Sequence, residues 1–147
     1  MTKILLIDHN PQIRLMTKKL IETREGWLVT EAIDSYDAIA QVVKLKPNLV
    51  VLDFAMPGLN GFQIAEKISA FAPGLPIILY TFYGFDAMNV EAKKHGITEV
   101  VDKADLAERL LEKIAKHLNE PKSSSLDLPA TTPIPDAKDK EEPPKLT

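Results

Sequence analysis

The stretch Asn48-Leu49-Val50-Val51-Leu52-Asp53 most constrains what this chain can fold into, because an apolar run stops abruptly on a carboxylate. Its valine and leucine content and its lack of polar alternation suit a strand buried on both faces, as in a parallel sheet covered by helices. Pro57, Gly58 and Gly61 break the run, and Asn60 is placed to cap a following helix. In an open parallel sheet the carboxyl ends of the strands line the ligand crevice, so a strand ending in Asp53 delivers that side chain to the binding edge. The plainer alternative is that Asp53 closes a turn by local hydrogen bonding.

The rest of the chain repeats this plan. Ile4 to Ile7 is an apolar run ending in Asp8-His9-Asn10-Pro11, with Asn10 as N-cap and Pro11 at the first helical position. Ile13, Met16, Leu20 and Ile21 follow at helical spacing, and Gly26 marks the exit. Residues 27–33 read as a second strand and 35–45 as a second helix, with Ile39, Val42 and Val43 facing inward. Residues 76–81 form another buried strand, followed by a helix over about 85–95. Gly96 ends that helix, and Lys93, Lys94 and His95 complement its dipole. Residues 98–102 make a fifth strand. The last helix, 105–118, carries Leu106, Leu110, Ile114 and Leu118 in one stripe, with Ala107 and Leu111 beside it.

Five strands alternating with five helices predict an α/β domain, a flavodoxin-like doubly wound (βα)5 three-layer sandwich with right-handed crossovers. The parallel sheet order 2-1-3-4-5 places the switch point between the first and third strands, which end at Asp8 and Asp53. The 147 residues accommodate one such domain over 1–119. Residues 120–147 hold six prolines, the run Ser123-Ser124-Ser125 and mixed charges, a composition expected to stay disordered. A net charge of −3 argues against a nucleic-acid partner, and the lack of cysteine excludes disulfides and thiolate chemistry. Met1-Thr2-Lys3 leads straight into a strand, and no run approaches the roughly 20 apolar residues that cross a bilayer. A cytoplasmic protein without membrane insertion is expected.

The pattern Asp53-x-x-Met56-Pro57-x-x-x-Gly61 after a hydrophobic strand resembles the phosphoacceptor segment of response regulator receiver domains, signalling modules phosphorylated by histidine kinases. The resemblance extends over residues 3 to 118. It implies that Asp53 accepts a phosphoryl group and that Asp8 is the first of two acidic residues at a Mg²⁺ site. It also makes the Ala55 backbone carbonyl a metal ligand. Thr81 would bond the phosphoryl group and move on activation, and Lys103 would pair with its oxygens. The implied partners are a sensor histidine kinase or phosphotransfer protein upstream and a protein target downstream, which makes the chain a signalling module and not an enzyme.

Those residue types suit the chemistry. A carboxylate attacking phosphorus forms an acyl phosphate, and the transfer needs positioning and charge neutralisation more than covalent help. Mg²⁺ takes hard oxygen ligands. The 28 residues from Asp53 to Thr81 and the 22 from Thr81 to Lys103 suit one βα unit each.

Two departures from the family pattern stand out. His9 occupies the place of the second acidic residue, and because imidazole suits softer ions than Mg²⁺, weakened or altered metal binding is expected. The plainer alternative is that His9 points to solvent. Val100 stands where the family usually has the aromatic residue that swings with the threonine, and Ala104 replaces a proline after the lysine. Tyr80, Phe82, Tyr83 and Phe85 flank Thr81 and form either a partner surface or ordinary core. His95 and His117 read as surface residues answering helix dipoles.

A phosphorylation-independent pseudo-receiver acting as an interaction module is the main alternative function. An aspartate-nucleophile phosphatase would want an acid where Ala55 stands. A flavin or nucleotide binder would want a glycine-rich cradle after the first strand.

Overall fold

The structure, a computed structural model, describes residues 1–82 and 86–119. Their order is β1 (Thr2–Ile7), α1 (Pro11–Ile21), β2 (Trp27–Ala32), α2 (Ser35–Leu45), β3 (Leu49–Leu52), α3 (Gly61–Phe71), β4 (Ile77–Thr81), α4 (Asp86–Lys94), β5 (Glu99–Asp102) and α5 (Ala107–Asn119). The five strands are all parallel, in the order β2-β1-β3-β4-β5. The expected flavodoxin-like architecture is the one observed.

The absence of polar alternation in the strands has a direct structural use. Along each strand successive side chains point to opposite faces of the sheet. Leu5, Ile7, Val50, Leu52, Ile77 and Leu79 pack on one face with Ala38, Val42, Ile64, Ile68 and Ala92 from α2, α3 and α4. Ile4, Leu6, Leu49, Val51, Ile78 and Tyr80 pack on the other with Ile21, Leu110, Leu111 and Ile114 from α1 and α5. At about 1.5–3 kcal/mol for each fully buried aliphatic side chain, these two cores are what fix the strand register.

Helix starts follow the local chemistry. The Asn10 side chain accepts from Gln12 and Ile13 with Pro11 in the first turn, and Asn60 and Gln63 form a reciprocal capping box. Which apolar residues face inward departs from expectation at three points. Met16 and Val43 are exposed, and Thr17 is buried on α1 in place of Met16, its hydroxyl satisfied by the Ile13 carbonyl at 2.8 Å. Leu106 is exposed and precedes α5, so the inward stripe of that helix begins at Leu110. Tyr83, Phe85 and residues 120–147 lie outside the described residues.

Candidate functional site

Backbone hydrogen bonds hold the exits of four strands side by side at one sheet edge. The Asp8 N–H donates to Ala32 O at 3.3 Å, the Asp53 N–H to Ile7 O at 2.9 Å, and the Lys103 N–H to Thr81 O at 2.9 Å. Asp8, Asp53, Thr81 and Lys103 are therefore brought together, as the strand ends predict for Asp8 and Asp53 and the family resemblance implies for Thr81 and Lys103.

Asp8 is almost fully buried, at 2% exposure. A carboxylate so placed needs compensation. Lys103 supplies it, with Nζ 2.7 Å from Asp8 Oδ2, and the Asn10 N–H donates to Asp8 Oδ1 at 2.9 Å. The same ammonium lies 3.4 Å from Asp53 Oδ1, and its side chain is only 4% exposed. The rings of Tyr80 and Phe82 flank it at 5.7 Å and 5.5 Å, close enough for cation–π attraction. Tyr80 is thus core while Phe82 is exposed and covers the lysine. Arg14, which the sequence did not single out, anchors the loop after β1. It donates to the Asp8 carbonyl at 2.8 Å and pairs with Glu31 at 2.9 Å.

Asp53 is the more accessible carboxylate, its side chain 12% exposed. Its Oδ1 accepts from the Phe54 N–H at 2.9 Å, and the buried Thr81 hydroxyl also bonds it. Burial pushes the Asp53 carboxyl above its ordinary value of 3.8. The Asp8 charge adds to this, and Lys103 and Thr81 oppose it without cancelling it.

The Pro-Gly-x-x-Gly spacing has a steric basis. Gly58 has φ +83°, a left-handed turn position. At Gly61 a Cβ would lie 2.8 Å from Phe54 Cα and 2.9 Å from the Asp53 carbonyl oxygen, so only glycine lets α3 start this close to the end of β3.

Asp8 and Asp53 offer hard carboxylate oxygens of the kind Mg²⁺ prefers, and that ion commonly takes one or two carboxylates with waters. Among the described residues no group of three or more His, Cys, Asp or Glu is arranged to hold a metal. With two carboxylates at the strand ends, the donor set fits a Mg²⁺ ion that keeps much of its water. His9 is exposed, and its backbone carbonyl accepts from Arg14 at 3.5 Å. Ala55 is exposed beside the site. Val100 pairs in register with Leu79 and packs against the core on the α2–α4 face.

His95 and His117 are not simple surface residues, a correction to the sequence reading. Both are half-buried. His117 Nε2 meets Glu99 Oε1 at 2.8 Å, and Lys113 meets the other Glu99 oxygen at 2.7 Å. His95 bonds Glu66 through Nδ1 and Glu91 through Nε2, and its ring stacks on Phe62. Glu91 lies one helical turn before His95, whereas Glu66 reaches it from another helix.

The profile of the response regulator receiver domain family matches residues 4–115. The chemotaxis protein CheY of Listeria monocytogenes is 30% identical over 116 residues, covering 79% of this chain and 98% of that protein. A CheY-like receiver domain protein from Methanospirillum hungatei superimposes with a TM-score of 0.74 at 28% identity, over 81% of this chain and 94% of that one. The response regulator TrrA of Thermotoga maritima, solved in complex with Mg(2+)-BeF, gives a TM-score of 0.71 at 28% identity, over 80% and 99%. With its sheet order, its profile match over most of its length and these neighbours in agreement, the chain belongs to the CheY-like response regulator receiver domains.

Proposed function

We propose that this receiver takes a phosphoryl group onto Asp53 from a phosphohistidine of a sensor histidine kinase or phosphotransfer protein, and signals onward through protein contacts in the cytoplasm. The observation that carries this reading is the Lys103 ammonium poised 2.7 Å from Asp8 and 3.4 Å from Asp53, beside the Thr81 hydroxyl. One Asp53 carboxylate oxygen attacks phosphorus, the phosphorus–nitrogen bond to the donor imidazole breaks, and that imidazole leaves with the bonding pair. The product is an aspartyl phosphate. Lys103 sits where it can pair with the transferred oxygens, and Thr81 where it can donate to one of them. Burial that raises the proton affinity of Asp53 also makes its oxygens more basic toward phosphorus.

A Mg²⁺ ion held by Asp8, Asp53 and the Ala55 carbonyl would neutralise charge on the phosphoryl oxygens. With His9 in place of a second acid, Mg²⁺ affinity is reduced, and calorimetric titration is expected to show about tenfold tighter binding in His9→Asp. Equal affinities in the two proteins would contradict this.

Incubation with acetyl phosphate and Mg²⁺ followed by intact-mass measurement tests the function itself. An adduct of one phosphoryl group is expected, absent in Asp53→Ala. No adduct in the unmodified protein would favour the second reading, a phosphorylation-independent interaction module, to which His9 and Val100 lend support.

A further inference from the structure

With Val100 on β5, the aromatic residue that would report on Thr81 is missing from that strand, but a different aromatic chain starts at Asp53 itself. The Phe54 N–H donates to Asp53 Oδ1 at 2.9 Å. The Phe54 ring meets Phe62 on α3 edge-on, with centroids 5.0 Å apart and planes at 72°. Phe62 stacks on His95 at 4.6 Å and 8°. His95 follows the last residue of α4 and joins that helix to α3, with Glu66 of α3 on one ring nitrogen and Glu91 of α4 at 3.2 Å on the other. The junction is tight, since a Cβ at Gly96 would come 2.6 Å from Ser69 Oγ of α3.

We propose that Phe54, Phe62 and His95 carry the state of the Asp53 carboxylate to α4, in place of an aromatic switch on β5. The inference rests on the phosphoacceptor reading above. Whichever Asp53 oxygen takes the phosphoryl group, Oδ1 ceases to be a carboxylate oxygen and becomes either the bridging oxygen of the acyl phosphate or its carbonyl oxygen. In both cases the charge-assisted bond from Phe54 is weakened. The Phe54 peptide cannot absorb the change alone, because its carbonyl accepts from the Gly61 N–H at 2.8 Å and its Cα lies against Gly61. Displacement therefore passes into the first turn of α3, where Phe62 stands, and on to the histidine that holds α4.

His95 also provides the readout. The charged groups facing its ring are Glu66 and Glu91, the latter also paired with Lys94 at 3.6 Å. The hydrogen bond to Glu66 comes first among the contacts that hold its pKa above the ordinary 6.5. Drawing the ring away from Glu66 on phosphorylation lowers that pKa, whereas the negative charge of a phosphoryl group acting through space would raise it. The two mechanisms have opposite signs.

The experiment is an NMR titration of the His95 ring in the full chain, with and without beryllofluoride and Mg²⁺, alongside intact-mass measurement after acetyl phosphate. The midpoint is expected to fall by about 0.3 pH unit, about a twofold loss of proton affinity. That fall is expected to vanish in Phe62→Leu and to persist in Phe62→Tyr, with the phosphoryl adduct retained in both. An unmoved midpoint, a rise, or a fall that survives in Phe62→Leu overturns the relay and leaves the phosphoacceptor reading standing if the adduct forms. Absence of the adduct from the unmodified protein overturns both.

Discussion

Asp53 and Lys103 are opposite cases of one electrostatic problem. Asp53 is a partly buried carboxylate whose proton affinity is raised by burial and by Asp8, so the folded protein holds it at a cost. In metal-free buffer, stability is expected to fall as pH rises from 3.8 through the raised folded-state value, because across that window the folded state binds more protons than the unfolded one. Asp53→Asn removes this slope and is expected to stabilise the protein by about 1 kcal/mol at pH 7 in urea unfolding. Lys103→Met acts in the other direction. It leaves Asp8 buried without the ammonium now 2.7 Å away and is expected to cost about 3 kcal/mol. Asp8 and Asp53 were legible in the sequence from parallel strands that end on one edge, and Thr81 and Lys103 through the resemblance to the receiver family. Arg14 and the cover that Phe82 lays over Lys103 were not, because the reach of a long side chain across elements leaves no periodic trace. Gly61 was visible as a breaker, but its role in letting α3 approach Phe54 was not. Gly61→Ala is expected to lower stability by about 2 kcal/mol, measured by thermal unfolding.

Helix caps were read correctly where the capping residue is explicit, as at Asn10 and Asn60. The inward faces of α1, α2 and α5 were read less well. A 3.6-residue period defines a stripe but not its centre or its start: Met16 and Val43 lie at stripe margins that the sheet does not cover, and Leu106 precedes the first turn of α5. The end of α2 is a case where sequence and geometry disagree: Lys46 takes φ 51° at the cap, a left-handed position that glycine fills more readily. Lys46→Gly is expected to raise stability by about 0.5 kcal/mol, less than the full strain because glycine gains freedom in the unfolded chain. On α5 the Glu99 clasp has a pH signature. Burial works to raise the Glu99 carboxyl, but hydrogen bonds from Lys113 and His117, with the charges of Lys113 and Lys116, outweigh it and lower the pKa. Its contribution is therefore present above pH 4.5 and lost as pH falls through the lowered folded-state value.

For the molecule as a whole, one sheet separates two cores, and the site sits at the switch point between β1 and β3 where the crossovers diverge. The buried Lys103 is held by Asp8 and faces Asp53, which stays reachable. The central claim is that Asp53, and no other carboxylate, is the nucleophile. Borohydride trapping after incubation with acetyl phosphate and Mg²⁺, followed by peptide mass spectrometry, tests it most directly, because hydride reduces an aspartyl phosphate to homoserine. Homoserine at position 53 alone is the predicted result; homoserine at position 8, or at neither position in protein incubated to completion, would contradict it.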